Sequence, residues 1–263
     1  MNPQSCVVLM YHVIDQPRSA VEAPYCCPPE LFEDHLRYLV EQGYSPIGLP
    51  RLLDCLDGVA AWPLRPVVIT IDDGVECAYR NALPLLAARK LPATVFMIAD
   101  LVDGYNDWVI PEGFPRRAML KRSELIALDR EGIEIGSHTR THPRLGRVPV
   151  ETITGEVRDS KSRLEDILQK PVQSFAYPYG SLNRAARDAV QAAGYRSGCS
   201  TIQGRNRPRT DRFVLRRVSI NGEDSLPRFR TKLWLGMSAA TCVRATAREA
   251  LARMHLMPPK SHA

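Results

Sequence analysis

The chain has 263 residues, 44% of them apolar and 24% charged, so it can bury a substantial core and is neither disordered nor fibrous. No apolar run approaches the roughly 18 residues of a membrane span, and the first residues lack the basic and apolar regions of a signal peptide. The net charge of +6 is uneven, because residues 203–263 carry +9 and residues 1–202 carry −3.

These features favour one domain over residues 1–263 and a cytoplasmic location, with peripheral contact at the inner membrane face as an alternative. The odd number of seven cysteines, with no Cys-x-x-Cys pair, favours reduced thiols over a disulfide framework or a thiolate zinc site. The basic quarter predicts contact with an anionic lipid or polymer, or simply a solvated surface. A nucleic-acid partner is not favoured, since no recognition motif accompanies the arginines.

Short β-rich runs alternate with amphipathic stretches along the chain. The predicted strands are 6–10, 67–71, 93–98, 133–137, 172–176, 195–199 and 213–220. The predicted helices are 29–42, 77–90, 121–131, 150–169 and 182–193, followed by a basic helical segment at about 225–263. The alternation predicts an α/β barrel or an open, doubly wound parallel sheet, and the irregular segments 101–120 and 200–212 are predicted loops over the site.

Reactive side chains follow four of the predicted strands. In chain order these groups are Tyr11-His12, Asp72-Asp73-Gly74, His138 to Pro143, and Tyr177 to Gly180. Because the carboxyl ends of parallel strands converge on one face of an α/β fold, we expect the four groups to meet there.

The set Asp73, His138 and His142 predicts a metal site. Two imidazoles and one carboxylate suit zinc or another divalent transition metal and leave coordination positions open for water and substrate. Adjacent carboxylates at residues 72 and 73 also repel, which favours a nearby cation or a shared proton. Taken singly, the Asp-Asp-Gly motif could be an ordinary acidic turn, and the two histidines could be surface or core residues that bind no metal.

The neighbouring groups then acquire chemical roles. Asp72 would lie near a metal-bound water and accept its proton. The Pro-Tyr-Gly turn at Tyr179 can aim a backbone N–H at a developing oxyanion, or its ring can simply pack at the barrel rim. His12 is a further titratable group at a strand end, and it could protonate a leaving amine or be structural.

At these residues the chain resembles the polysaccharide deacetylases, the NodB-like group also called carbohydrate esterase family four. The similarity extends in order over about residues 5–220 and rests on three motifs, which here are Thr70-Ile71-Asp72-Asp73-Gly74, His138 to Pro143, and Tyr177 to Gly180. The resemblance implies a distorted TIM-like barrel of seven strands that removes acetyl groups from N-acetylated sugars. It also implies a divalent metal, with zinc expected and cobalt or nickel as alternatives.

By the same resemblance, Asp72 is the general base, the backbone N–H of Tyr179 serves the oxyanion, and Asp73, His138 and His142 are the metal ligands. Three departures stand out: Ala176 replaces a common arginine, Asp211 lacks the tryptophan that usually follows, and His255 stands outside the usual Leu-x-His motif.

Those departures leave the general acid to be assigned. The subgroup similar to poly-N-acetylglucosamine deacetylases begins with a strand ending in Tyr-His, which Met10-Tyr11-His12 resembles. We therefore expect His12, rather than His255, to be the acid. Arg217 resembles an arginine near the end of these domains, and we expect it to orient Asp72 or a substrate oxygen, with a surface role as the alternative.

The predicted substrate is an N-acetylated amino-sugar polymer, oligomer or lipid-linked sugar. Two alternatives remain open at this point. One is a catalytically inactive carbohydrate-binding protein on the same fold, and the other is a deformylase or other amidohydrolase acting on a non-polymeric substrate.

Overall fold

The computed structural model describes residues 4–244, in which short runs rich in β-branched residues form buried strands. The strands are β1 (Val7–Tyr11), β2 (Ser45–Pro46), β3 (Pro66–Ile71), β4 (Thr94–Met97), β5 (Glu134–Ser137), β6 (Ser174–Ala176), β7 (Ser197–Cys199) and β8 (Val218–Ser219). Their nearly continuous apolar sequences are typical of parallel strands that are covered on both faces.

The strands form one curled parallel sheet. Its order is β7-β6-β5-β4-β3-β1-β8, and β2 pairs with β3 outside this path. The two edges approach each other, because Leu215, just before β8, forms a parallel bridge with Cys199 of β7. The Leu215 N–H donates to Gly198 O and the Ser200 N–H donates to Leu215 O, both at 2.8 Å. Seven strands lie on the main path of the sheet, and the predicted α/β fold, a distorted TIM-like barrel, is confirmed.

Helices lie between most of the successive strands, and one more follows β8. They are α1 (Pro29–Glu41), α2 (Leu49–Leu56), α3 (Leu83–Ala87), α4 (Arg122–Arg130), α5 (Val150–Leu168), α6 (Arg184–Ala192) and α7 (Leu226–Leu235), with a π-helical turn at Ala78–Ala82 before α3. The short elements β2 and α2 were not predicted from the sequence, since two and eight residues give too little periodicity. None of the helices within residues 4–244 is long and apolar enough to cross a membrane.

Two predictions around β8 were wrong. The predicted strand 213–220 is shortened because Asp211 Oδ1 accepts a hydrogen bond from the Phe213 N–H at 2.9 Å and caps a 3₁₀ turn at Arg212–Val214. The predicted loop 200–212 covers the site only at its start. Further along, Asn206 pairs with Cys6, at the amino end of β1 and away from the strand ends that carry the reactive groups.

The period of two along the strands determines which side chains reach the site. Val8 and Val68 point into the barrel and pack with the apolar face of α2, whereas their neighbours Val7 and Val67 pack in the main cluster with the outer helices. Continuing this alternation to the carboxyl ends of β1 and β3 turns His12 and Asp72 toward the barrel mouth. The hydrophobic core therefore sets the direction of both polar groups.

Candidate active site

A cavity of about 370 Å³ opens at the carboxyl ends of the strands. All four sequence groups that were expected to meet contribute to it, through His12, Asp72, Asp73, His138, His142 and Tyr179. Its apolar walls come from two segments outside those motifs, through Tyr25, Trp108, Val109 and Phe114. A few convergent polar groups in a largely apolar cavity of this size are typical of a small-molecule site.

Asp73 and the two histidines form a compact cluster. Asp73 Oδ1 lies 3.4 Å from His138 Nε2 and 3.5 Å from His142 Nε2, and the two nitrogens are 3.3 Å apart. Asp73 adopts a left-handed backbone conformation, with φ of 72°, directly after β3. Gly74 follows with φ of 77°, and a Cβ there would lie 2.2 Å from Met97 Sδ. The tight turn directs the carboxylate toward both imidazoles, and only glycine fits its second position.

The donor set of this cluster fits a divalent metal ion. His138 Nδ1 lies 2.8 Å from Ala176 O, so Nδ1 carries the proton and Nε2 presents a lone pair to the cluster. Burial lowers the pKa of His142, which keeps its imidazole neutral. Three atoms that each lie about 2.1 Å from one tetrahedral ion would be about 3.4 Å apart, as these atoms are.

The carboxylate of Asp73 is ionised in this setting. Burial raises its pKa, but contact with His138 and His142 lowers it further, so that the net pKa is well below the ordinary value. An ionised carboxylate beside two neutral imidazole nitrogens is the protonation state that metal binding requires.

Asp72 is held by a buried arginine. Arg217 Nη1 donates to Asp72 Oδ1 at 2.6 Å and Nη2 donates to Oδ2 at 2.7 Å. Arg217 is fully buried, and its remaining donors reach Ser200 O at 2.9 Å and Thr70 Oγ1 at 3.2 Å. Burial raises the pKa of Asp72, but the guanidinium of Arg217 lowers it more, so the net pKa is below the ordinary value. Arg217 therefore lies beneath Asp72 rather than on the surface.

His12 and Tyr179 line the same cavity as the Asp73, His138 and His142 cluster. The half-buried His12 has the ring of Tyr25 edge-on at 5.7 Å, and its charge is near enough to lower the pKa of Asp72 and Asp73. Tyr179 has φ of 57°, and its ring packs 4.5 Å from that of His142. His255, the other candidate for the acid, lies outside the described residues.

Comparison with known protein families shows that residues 62–198 match the family described as Polysaccharide deacetylase. The chain belongs to the polysaccharide deacetylase family. It is 26% identical over 219 residues to the putative polysaccharide deacetylase YxkH of Bacillus subtilis, covering 83% of this chain and 72% of that protein.

Two further relatives bear on activity and fold. The chain is 28% identical over 171 residues to poly-beta-1,6-N-acetyl-D-glucosamine N-deacetylase of Staphylococcus aureus, covering 62% of this chain and 57% of that enzyme. The chain therefore spans little more than half the length of that relative. Among solved structures, the deacetylase PplD of Streptococcus pyogenes shares the fold, with a TM-score of 0.75 and 23% identity over 88% of this chain and 99% of PplD.

The structure of this deacetylase-family chain also contains a buried ion cluster that the sequence did not predict. Arg117 is only 3% exposed and donates to both oxygens of Glu22, at 2.8 and 2.9 Å, and to Asp15 Oδ2 at 2.7 Å. It joins the segment after β1, which carries Tyr25, to the segment that carries Phe114, and these two rings pack 5.6 Å apart. The partners are separated by about 100 positions in sequence, so no local pattern could reveal the pairing.

Proposed function

We propose that the protein is a metal-dependent N-deacetylase that hydrolyses the acetamide of an N-acetylated amino sugar. The observation that carries the proposal is an ionised, arginine-held Asp72 adjacent to the Asp73, His138 and His142 cluster in one cavity. Membership of the polysaccharide deacetylase family supports it, as does the named activity of the staphylococcal relative. Zinc is the proposed metal, with cobalt and nickel as alternatives.

An ion held by Asp73, His138 and His142 would polarise the acetamide carbonyl and lower the pKa of a bound water. Asp72 takes the proton of the attacking water. Its low pKa keeps it ionised at neutral pH, and each of its oxygens has a lone pair beyond the one that Arg217 uses. Arg217 also holds the carboxylate in one orientation, which makes it a positioning residue for the base.

The remaining steps belong to Tyr179 and His12. The backbone N–H of Tyr179 donates to the oxyanion that forms when the carbonyl carbon becomes tetrahedral. His12 then donates a proton to the nitrogen as its bond to the acyl carbon breaks. The products are acetate and a free amino sugar. The aromatic walls at Tyr25, Trp108 and Phe114 supply flat apolar surfaces for the sugar.

The direct test is product release from N-acetylglucosamine oligomers by protein stripped of metal and then reloaded with zinc. We expect zinc-dependent release of acetate and amine in equal amounts, loss of at least 100-fold in Asp72→Asn with zinc still bound, and wild-type rates in the exposed control Asp188→Asn. His12→Ala should also be slow. Faster hydrolysis of N-formylated oligomers would favour a deformylase, and zinc binding without any hydrolysis would favour the inactive sugar-binding protein.

The partner proposed for the basic quarter is an anionic lipid surface, reached from the cytoplasmic side. Arg207, Arg209 and Arg216 line one groove beside the end of α7, and the nearby Trp234 is 66% exposed. Arginines next to an exposed tryptophan suit the interface of an anionic membrane. Vesicles containing phosphatidylglycerol should sediment the protein at low salt, and the double variant Arg207→Glu/Arg209→Glu should remain in solution. Equal binding to neutral vesicles would contradict this proposal.

A further inference from the structure

Glu156, in the first half of α5, makes all of its strong contacts with the loop between the two histidines of the cluster. Its Oε2 accepts hydrogen bonds from the N–H groups of Arg140 and Thr141, both at 2.8 Å. Its Oε1 accepts one from the Thr141 hydroxyl at 2.6 Å. Glu156 is 8% exposed as a residue, so these bonds replace most of the hydration of its carboxylate. Both oxygens of a buried acid are thus committed to a loop that carries two proposed metal ligands.

That loop has a backbone conformation that it would not keep unaided. Thr139 and His142 have φ of 66° and 68°, which places two residues with side chains in the left-handed region. Such a conformation is strained for a residue with a side chain, and it persists only where the surrounding structure enforces it. Inside the loop, the Thr139 hydroxyl accepts the His142 N–H at 3.0 Å and donates to His138 O at 2.5 Å.

The loop is also anchored by the segment after β4. The Ala99 N–H donates to Thr139 O and the Asp100 N–H donates to Arg140 O, both at 3.0 Å. Glu156 supplies the support from α5, at the two residues immediately before His142. The backbone of the loop is consequently held by two elements of the barrel.

The two histidines differ in how their rings are fixed. His138 has its Nδ1 on Ala176 O at 2.8 Å. The buried Nδ1 of His142 has no hydrogen-bond partner within residues 4–244. The His142 ring is held instead by its own backbone and by packing against Trp108 and Tyr179, with ring centres 5.1 and 4.5 Å away. The position of its Nε2 therefore depends on the backbone immediately before it.

We propose that Glu156 is a positioning residue for metal binding, because it fixes the backbone that aims His142 at the cluster. The inference rests on the metal site of the proposed function and adds a residue to it. Hydrogen-bonded partners of ligand residues commonly contribute 10- to 100-fold to metal affinity. Glu156 would act one step further out, through the main chain rather than through the imidazole.

The test is the zinc affinity of the full chain, measured by competition with a chromophoric chelator. Glu156→Gln removes the negative charge that the two backbone N–H groups face and forces the hydrogen bond with the Thr141 hydroxyl to reverse, so we expect zinc to bind about 10- to 100-fold more weakly than to wild type. Thr141→Val removes only the hydroxyl donor and should give a smaller loss. The matched control Glu151→Gln changes an exposed acid on the same helix and should leave the affinity unchanged.

Two further measurements separate this role from general stabilisation. The absorption spectrum of bound cobalt should change in Glu156→Gln, because its bands report ligand geometry. The thermal midpoint of the metal-stripped variant reports folding by itself. A stripped variant that is less stable yet binds zinc within twofold of wild type would overturn the inference alone. A wild-type chain that binds no zinc would overturn the metal site of the proposed function as well.

Discussion

The buried pair of Arg217 and Asp72 makes the sharpest quantitative prediction for this fold. Arg217→Met removes a fully buried guanidinium and leaves Asp72, which is 2% exposed, without its charged partner. Asp72→Asn instead leaves Arg217 as a buried cation without a charged partner. Removing one member of a buried, hydrogen-bonded ion pair typically costs about 3–5 kcal/mol of unfolding free energy. We expect a loss in that range for Arg217→Met and a loss of similar size for Asp72→Asn.

The double variant determines whether the pair acts as a unit. Each single change includes the cost of stranding the other charge, and the double variant strands neither. Its loss should be smaller than the sum of the single losses by about 2–3 kcal/mol, the upper part of the range for residues in contact. Urea denaturation of metal-stripped proteins, followed by circular dichroism, measures all four free energies without a contribution from bound metal.

The pH dependence of the unfolding free energy tests the Arg217–Asp72 pair in a second way. In wild type the pKa of Asp72 is lowered, so its stabilisation is present above the ordinary pKa of a carboxyl group and is lost as the pH falls through the lowered value. In Arg217→Met, burial is no longer opposed by the arginine and should raise this pKa. The deficit of that variant should therefore shrink between pH 7 and pH 4. Additive single losses within 0.5 kcal/mol, or a deficit that does not change with pH, would refute the reasoning.

Further predictions concern sites around the cavity and away from it. Burial lowers the pKa of His35 from 6.5 to about 4. As the pH falls, the unfolded chain therefore binds a proton at this position before the folded chain does. The unfolding free energy should fall by up to ~3 kcal/mol between pH 7 and pH 4. Denaturation of His35→Gln should show a flatter pH dependence over the same window. Gly74→Ala forces a side chain into a left-handed turn against Met97, and it should cost at least ~2 kcal/mol and weaken zinc binding in chelator competition. Arg117→Met should lower the unfolding free energy by about 3–5 kcal/mol, whereas the exposed control Arg116→Met should change it by less than about 0.5 kcal/mol.

The strand pattern was sufficient for a parallel α/β fold because the main strands are apolar runs with reactive residues directly after them. The resemblance to the deacetylase family then selected the barrel over an open sheet. Asp72 and His138 could be placed at one edge of the sheet because parallel strands share the direction of their carboxyl ends. The same reasoning failed where a short-range contact overrides periodicity, as when Asp211 caps a 3₁₀ turn inside the predicted strand 213–220. It also missed α2, whose eight residues leave little periodic signal.

Most supports of the site are long-range contacts that no local pattern reveals. Arg117 reaches Glu22 across 95 positions. The contact of Arg217 with Asp72 spans 145 positions, and it was expected only through the resemblance to the deacetylase family. Glu156 contacts a loop 15 and 16 positions away, from a helix whose orientation depends on the whole barrel. The groups expected to perform the chemistry lie in local motifs, whereas the groups that hold them in place are brought together only by the tertiary fold.

In the proposed reaction, Asp72 works beside one metal ion held by Asp73, His138 and His142. The most direct measurement titrates zinc into the stripped protein and follows acetate release from N-acetylglucosamine oligomers. Activity should rise linearly and reach its break at one zinc per chain, while Asp72→Asn should bind the same single zinc and release almost no acetate. Full turnover by the stripped protein, or wild-type turnover by zinc-loaded Asp72→Asn, would contradict the account.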